Sequence, residues 1–395
     1  MSFQRLTPKE FLQAEVVCKN DKAMEKATWN ERIQKFKTLD FNDPKTFSEA
    51  SNPIGLRAAY LGYKQAEAGL PTGYMISLDA SSSGLQLLSL LISCIDSWML
   101  CGGDLDRCVD AYIEIYNAMG LTKLSRKQVK QAIMTAFYGS TRTPENTFGD
   151  KVDLFYDTVS NMAPGAWQLN LDLQEVWHRL RGSVYSWTMP DNFHACIETK
   201  KPEYQDFTLL GKNLVITKYV DGRPDFHKGL GPNVIHSVDG FIVREMIRRC
   251  SYRPEKILEI LELIKAGDTH GTTGASAPMV QTLWDQFKRT GFLSTRIFDY
   301  LYKDTLGLVD AGHILDLISS LPMQPFQLVT NHDCFRCHPN YGNDLRRQYN
   351  TILADINDSK MLQAIVSEIL GRPIKIRKFG TIDRNLILNS NYALS

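Results

Sequence analysis

The sequence predicts an α+β fold, rich in helix, with a few short strands. Three observations point that way. Helical stretches recur along most of the chain, the candidate strands are short and scattered among them, and a hairpin signal at residues 325–337 calls for antiparallel pairing. With 395 residues, 43% hydrophobic and 23% charged, the chain has an ordinary globular composition and the length for two or three packed units.

Taken in order, the first sixty residues read as helical in PKEFLQAEVV (8–17) and WNERIQKFKTL (29–39), with a loop rich in Pro, Asn and Ser over 42–53. YMISLD (74–79) reads as a strand that turns at ASSSG (80–84) into the apolar helix LQLLSLLISCI (85–95). A helix over 105–119 follows, and another opens at 125, where Ser125 and Gln128 form a capping box. Between 150 and 235 a helix (171–182) mixes with short strands at 183–189, 194–199 and 213–220. A helix covers 235–250, and 253–322 is helical around the Gly/Thr/Ser loop GDTHGTTGASAP (267–278). The hairpin PFQLVTNHDCFRC (325–337) leads into a helix over 342–356. There is no internal repeat and no low-complexity tract.

A formal net charge of +1 gives no global basic excess, so any nucleic-acid contact rests on local patches. No apolar run reaches membrane-spanning length, and the opening MSFQRLTPKEFLQAEV resembles neither a signal nor a transit peptide. The expectation is a chain that stays where it is made and meets no membrane. Neither GxxxxGK[ST] nor GxGxxG occurs, which removes a phosphate-cradling glycine loop as the mechanism.

Four places carry candidate chemistry. CFRCH (334–338) has the spacing of a c-type haem attachment site and half of a zinc site. Haem attachment needs export, and Cys18, Cys94, Cys101, Cys108, Cys196 and Cys250 form no second C-x-x-C. Reduced structural thiols are the expectation. In SLDASSSGLQ (77–86), Asp79 ends an apolar strand beside the Ala80 carbonyl, and such hard oxygen donors suit Mg²⁺. Read alone, Asp79 serves equally well as a cap for the next helix.

In SRKQVKQAIMTAFYGS (125–140), Arg126, Lys127 and Lys130 occupy the first turns of a helix, where cations oppose the dipole at a few tenths of a kcal/mol or more each. A polyanion resolves that conflict. Four-residue steps carry Arg126, Lys130, Met134 and Tyr138 along one face, about 18 Å long. A nucleoside triphosphate fits along it, phosphates at the basic end and sugar near Tyr138-Gly139. A solvated basic face above a core stripe is the plainer alternative. Last, Asp333 follows a strand and a tight turn, and a hairpin tip presents it to Asp79. Two such aspartates share a pair of divalent ions about 3.5–4 Å apart, though Asp333 also suits an ordinary turn.

The order and contents of these pieces are more specific than any one of them. An aspartate after a strand, then R-x-x-x-K-x-x-x-M-x-x-x-Y-G on a helix, then H-D at a hairpin, resembles the motif A, B, C series of the polymerase-A superfamily. More closely, it is similar to the single-subunit RNA polymerases of phages and mitochondria. DASSSGLQ (79–86) matches that family's D-G-S-x-S-G-x-Q except for Ala80, and HDCF (332–335) matches H-D-S-F except for Cys334. WTMPDNF (187–193), GPNVIHSVDG (231–240), KATWNERI (26–33) and the closing RNLILNSNYALS (384–395) resemble further family stretches. The resemblance runs from about Lys26 to the end, interrupted over 253–322.

The resemblance implies a right-hand architecture with a small antiparallel palm sheet. Residues 1–105 would be palm, 106–235 fingers, and 236–395 palm again, with a helical insertion at about 253–322 and a C-terminal foot. It implies a DNA-directed RNA polymerase using two Mg²⁺ ions, bound by Asp79 and Asp333 with the Ala80 carbonyl. Arg126 and Lys130 would hold the triphosphate, with Lys26 as a further contact. Tyr138 would sense the ribose hydroxyl, His236 the minor groove of the new pair, and His332 would brace the metal site; Tyr112 matches a fingers tyrosine. On this view Cys334, Cys337 and His338 sit on the hairpin by coincidence.

The family's D-x-x-G-R element, thumb and promoter-recognition region have no match in the chain; NPIGLR (52–57) lies too close to Asp79. The implied partners are therefore a second polypeptide supplying those parts, as in split polymerases of some lytic phages, together with template DNA, nascent RNA and ribonucleoside triphosphates. The implied location is the cytoplasm of an infected bacterium. A DNA polymerase of the same superfamily and an inactive polymerase-like scaffold are the alternatives; the small residues after Asp79 speak against the first, because the DNA enzymes usually carry a bulky steric gate there.

Overall fold

The computed structural model describes residues 2–180, 182–222 and 229–395. Helices dominate, and seven strands are β1 (Ile76–Asp79), β2 (Val184–Thr188), β3 (His194–Glu198), β4 (Lys200–Leu209), β5 (Lys212–Asp221), β6 (Val329–Asn331) and β7 (Cys334–Cys337). They make three small antiparallel sheets, ordered β1-β7-β6, β2-β3 and β4-β5. The α+β, helix-rich class expected from the sequence is the class observed.

The helices that position the site are α1 (Pro8–Asn20), α2 (Trp29–Phe36), α3 (Pro53–Glu67), α4 (Ser83–Leu91), α5 (Ala111–Ala118), α6 (Arg126–Phe137), α7 (Pro164–Arg179), α8 (Leu230–Cys250) and α9 (Gly342–Asp358). Local chemistry starts three of them. Thr7 with Glu10, Thr28 with Glu31, and Ser125 with Gln128 form reciprocal capping boxes at α1, α2 and α6. α3 is absent from the sequence-based expectation, although Asn52 caps it and Pro53 opens it. The expected helix over 105–119 starts only at Ala111. Asp104 accepts from the N–H groups of Asp106 and Arg107, closing a turn instead, and Asp110 caps α5 by accepting from Tyr112 at 3.2 Å.

The main core surrounds α4. Residues 85–91 are buried on every side, and α4 packs against α6, α7, α8 and α9. One polar side chain sits inside that core. Gln86 is fully buried; its Nε2 donates to the carbonyls of Cys101 (2.7 Å) and Ala393 (2.9 Å), and its Oε1 accepts from Tyr349 (2.8 Å). Gln86→Leu strands a hydroxyl and leaves two carbonyls without this donor in a dry environment, so it is expected to destabilise the chain by about 2–4 kcal/mol, read from denaturant unfolding.

β1 has its face toward this core through Ile76 and Leu78, opposite Cys337 and Phe335 on β7, while Ser77 and Asp79 face away. The C-terminal residues run alongside. Asp79 and Ser395 exchange backbone hydrogen bonds of 3.3 and 3.1 Å, Ser81 donates to Ala393 at 3.1 Å, and Ala80 bridges Leu394. The end of the chain therefore acts as an extra edge on the strand that carries Asp79.

Residues of the 253–322 segment build a second, smaller core around Ile260, Val280, Leu283, Ile297 and Ile314. It is tied to α8 by buried polar contacts: Glu245 accepts from Ser294 Oγ and from the Thr295 N–H, both at 2.7 Å. Among the described residues no helix is long and apolar enough to cross a membrane.

Candidate functional site

β1 and the β6–β7 hairpin bring two aspartates together. β1 pairs with β7 so that Asp79 stands opposite Cys334, and Asp333 is the neighbouring residue, in the two-residue tip that joins β6 to β7. His332, the other tip residue, takes a left-handed φ of 55°. The Ala80 N–H donates to the Asp333 carbonyl at 3.2 Å, so the two backbones touch at this point. Asp79 does not cap α4: the cap position is Ser82, also left-handed, and it makes no side-chain cap bond. The helix-cap alternative for Asp79 is thereby removed.

Asp79, Ala80 and Asp333 form one wall of a cleft of about 490 Å³. α6 forms another. Val129, Ala132, Ile133, Ala136 and Phe137 sink into the core, which leaves Arg126, Lys130, Met134 and Tyr138 along the cleft. Arg126 Nε donates to Asp110 at 2.5 Å, the carboxylate that also caps α5. Lys130 Nζ lies 5.8 Å from the ring centre of Tyr112, a cation–π contact. Lys26 reaches the cleft from the 3₁₀ turn Lys22–Lys26.

At the far end, Tyr138 packs against motif A. A Cβ placed on Gly84 would stand 2.7 Å from the Tyr138 hydroxyl, so the tyrosine occupies its place only because residue 84 has no side chain. The ring of His236, from α8, lies 5.2 Å from that of Tyr138.

The expected site residues thus sort into two groups. Asp79, Ala80, Lys26, Tyr112, Arg126, Lys130, Tyr138 and Asp333 line the one cleft. His236 meets it through Tyr138, and His332 lies on the hairpin tip, off the cleft lining. Two residues went unassigned in the sequence. Gly84 is one. The other is Asp239, one turn after His236 on α8, whose carboxyl is pushed up to about 6 by burial and by the Asp333 charge, with His332 pulling the other way. The signal was present as the three-residue spacing of His236 and Asp239 on a helix.

Charge crowding marks Asp79 too. Partial burial and then the Asp333 charge push its carboxyl up to about 6, against Lys26 and Lys130, which favour the anion; Glu25 adds to the rise. Asp79 therefore holds its proton more tightly folded than unfolded, where the ordinary value is 3.8. Stability from this group falls as pH rises from about 4 to about 6 and stays lost above. Asp79→Asn is expected to raise the melting temperature in EDTA, more at pH 7.5 than at pH 5. The carboxylate is open to water on its cleft side, which screens the effect to about 1 kcal/mol. Equal gains at both pH values would contradict this.

The donor set fits magnesium. Among the described residues, no group of three or more His, Cys, Asp or Glu side chains has the arrangement to hold a metal ion. Two carboxylates with a neighbouring carbonyl are what Mg²⁺ uses when waters and substrate phosphates complete its shell. The hairpin cysteines are not part of this set. Both are free; Cys337 is buried, which pushes its thiol up to about 12, and Cys334 Sγ sits 3.1 Å from Ser77 Oγ. No protein-family model matches the sequence, and no curated protein matches it either.

Proposed function

We propose that this chain is the catalytic part of a DNA-directed RNA polymerase, which adds ribonucleotides from their triphosphates to an RNA 3′ end. The observation that carries the reading is the single cleft in which Asp79 and Asp333, far apart in sequence, face the stripe Arg126, Lys130 and Tyr138. Bound between Asp79, Asp333 and the Ala80 carbonyl, a pair of Mg²⁺ ions would stabilise the attacking and leaving oxygens of an in-line phosphoryl transfer. The chain's own residues do the rest. Arg126, held by Asp110, and Lys130 bind the triphosphate, with Lys26 opposite. Tyr138, seated against Gly84, and His236 beside it face the sugar and the new base pair. His332 braces the hairpin tip next to Asp333.

On this reading residues 1–105 and 236–395 form the palm and 106–235 the fingers. A second polypeptide supplies the D-x-x-G-R element, the thumb and the promoter-reading parts, in the cytoplasm of a phage-infected bacterium. The test is extension of a primed template by the purified chain, with and without the product of the adjacent reading frame, comparing rNTPs with dNTPs. Mg²⁺-dependent extension with rNTPs is expected. A strong dNTP preference would make it a DNA polymerase, and no extension under any condition would leave only a scaffold.

A further inference from the structure

β4 and β5 form a ribbon that stands apart from the rest of the fold. They pair with each other along ten residues each, from Lys200↔Asp221 to Leu209↔Lys212, and no other element packs broadly against them. The base is fixed: Thr199 donates to the Ser183 carbonyl at 2.7 Å and accepts from Gly222 at 3.2 Å. Beyond it nearly every residue is exposed.

The exposed side chains are the wrong kind for water. The register puts Phe207, Leu209, Leu214 and Ile216 on one face, and Tyr204, Val215 and Tyr219 on the other. Ile216 is 50% exposed and Tyr219 66%. A lone two-stranded ribbon is marginal in water, and an open apolar edge invites pairing. Something is expected to cover this element.

Three features narrow what does. First, residues 200–221 hold four lysines against two aspartates and a glutamate, and no arginine. A nearly neutral, aliphatic ribbon lacks the cationic surface that phosphate binding requires. Second, each face measures roughly 33 by 10 Å, far below the ~800 Å² per partner of a stable interface. A second copy stacked on one face is too small a contact, so the occupant closes on both faces. Third, residues 223–228, outside the described residues, span at most about 20 Å and cannot reach the tip, about 33 Å from the base.

We propose that this ribbon inserts into a cleft with apolar walls on a separate polypeptide, and that it is the main anchor between the two chains. The choice of that polypeptide rests on the polymerase reading; the ribbon argument does not. The probe is the product of the adjacent reading frame, mixed with the purified full-length chain. Binding is measured by calorimetry and sedimentation. Two variants are compared: Phe207→Ser/Leu214→Ser/Ile216→Ser on one face, and Tyr204→Ser/Tyr219→Ser on the other. All five positions are exposed, so unchanged melting of the variants is expected and is checked first.

The expected result is a one-to-one complex weakened about 100-fold by each variant, with unchanged Mg²⁺-dependent binding of a ribonucleoside triphosphate. Wild-type binding by both variants overturns the proposal. So does the absence of any complex, self-association of the free chain that the variants abolish, or a tenfold loss of duplex or single-stranded DNA binding in them at matched salt. A complex that forms and depends on the ribbon while template extension fails would remove the polymerase reading alone.

Discussion

Asp333→Asn and Asp79→Asn each reduce ribonucleotide addition by about 10³-fold or more, a loss of ~4 kcal/mol of transition-state stabilisation. The expectation follows from where the two side chains stand. β1 and β7 lock their backbones at Ala80, so neither carboxylate has a neighbour on its own segment to replace it. Asparagine keeps the volume and removes the charge that binds a divalent ion. The double variant is expected to lose little more than either single one, because the pair acts as a unit. Folding survives, since Asp79→Asn relieves charge crowding rather than creating it. Activity within tenfold of wild type in either variant would place the chemistry elsewhere.

The second large effect concerns sugar choice. Tyr138→Phe removes the hydroxyl at the far end of the cleft, and the preference for rNTPs over dNTPs is expected to fall about 10–100-fold in kcat/KM. Gly84→Ala acts on the same feature from the other side. Its methyl group would stand 2.7 Å from the Tyr138 hydroxyl and 3.2 Å from Cζ, so the ring must move. A loss of about tenfold in ribonucleotide use is expected, partly restored in Gly84→Ala/Tyr138→Phe, where the clashing oxygen is gone. Additive losses in the double variant would argue that Gly84 and Tyr138 act separately.

The sequence was most legible where chemistry repeats at short spacing. The capping box at Ser125 and the four-residue steps of Arg126, Lys130, Met134 and Tyr138 are local, and α6 follows them. The hairpin around Asp333 was legible for the same reason, as was the strand ending at Asp79, although β1 begins at Ile76. What escaped depends on distant partners. The edge strand formed by Ala393–Ser395 exists only through pairing with Asp79 and Ser81. β4 was missed because Pro202, Glu203, Gln205 and Asp206 interrupt any strand pattern; its register comes from β5. Asp239 looks like an ordinary helix carboxylate until Asp333 faces it. The false start of the helix at 105 came from Asp104, whose acceptor closes a turn that mimics a cap.

The most direct measurement is Mn²⁺ binding followed by electron paramagnetic resonance, with a ribonucleoside triphosphate present, on wild type, Asp79→Asn and Asp333→Asn. If the aspartates of β1 and the hairpin tip hold one ion site together, wild type immobilises Mn²⁺ and both variants release it. Undiminished Mn²⁺ binding in both variants would contradict the assignment of this cleft as the catalytic centre.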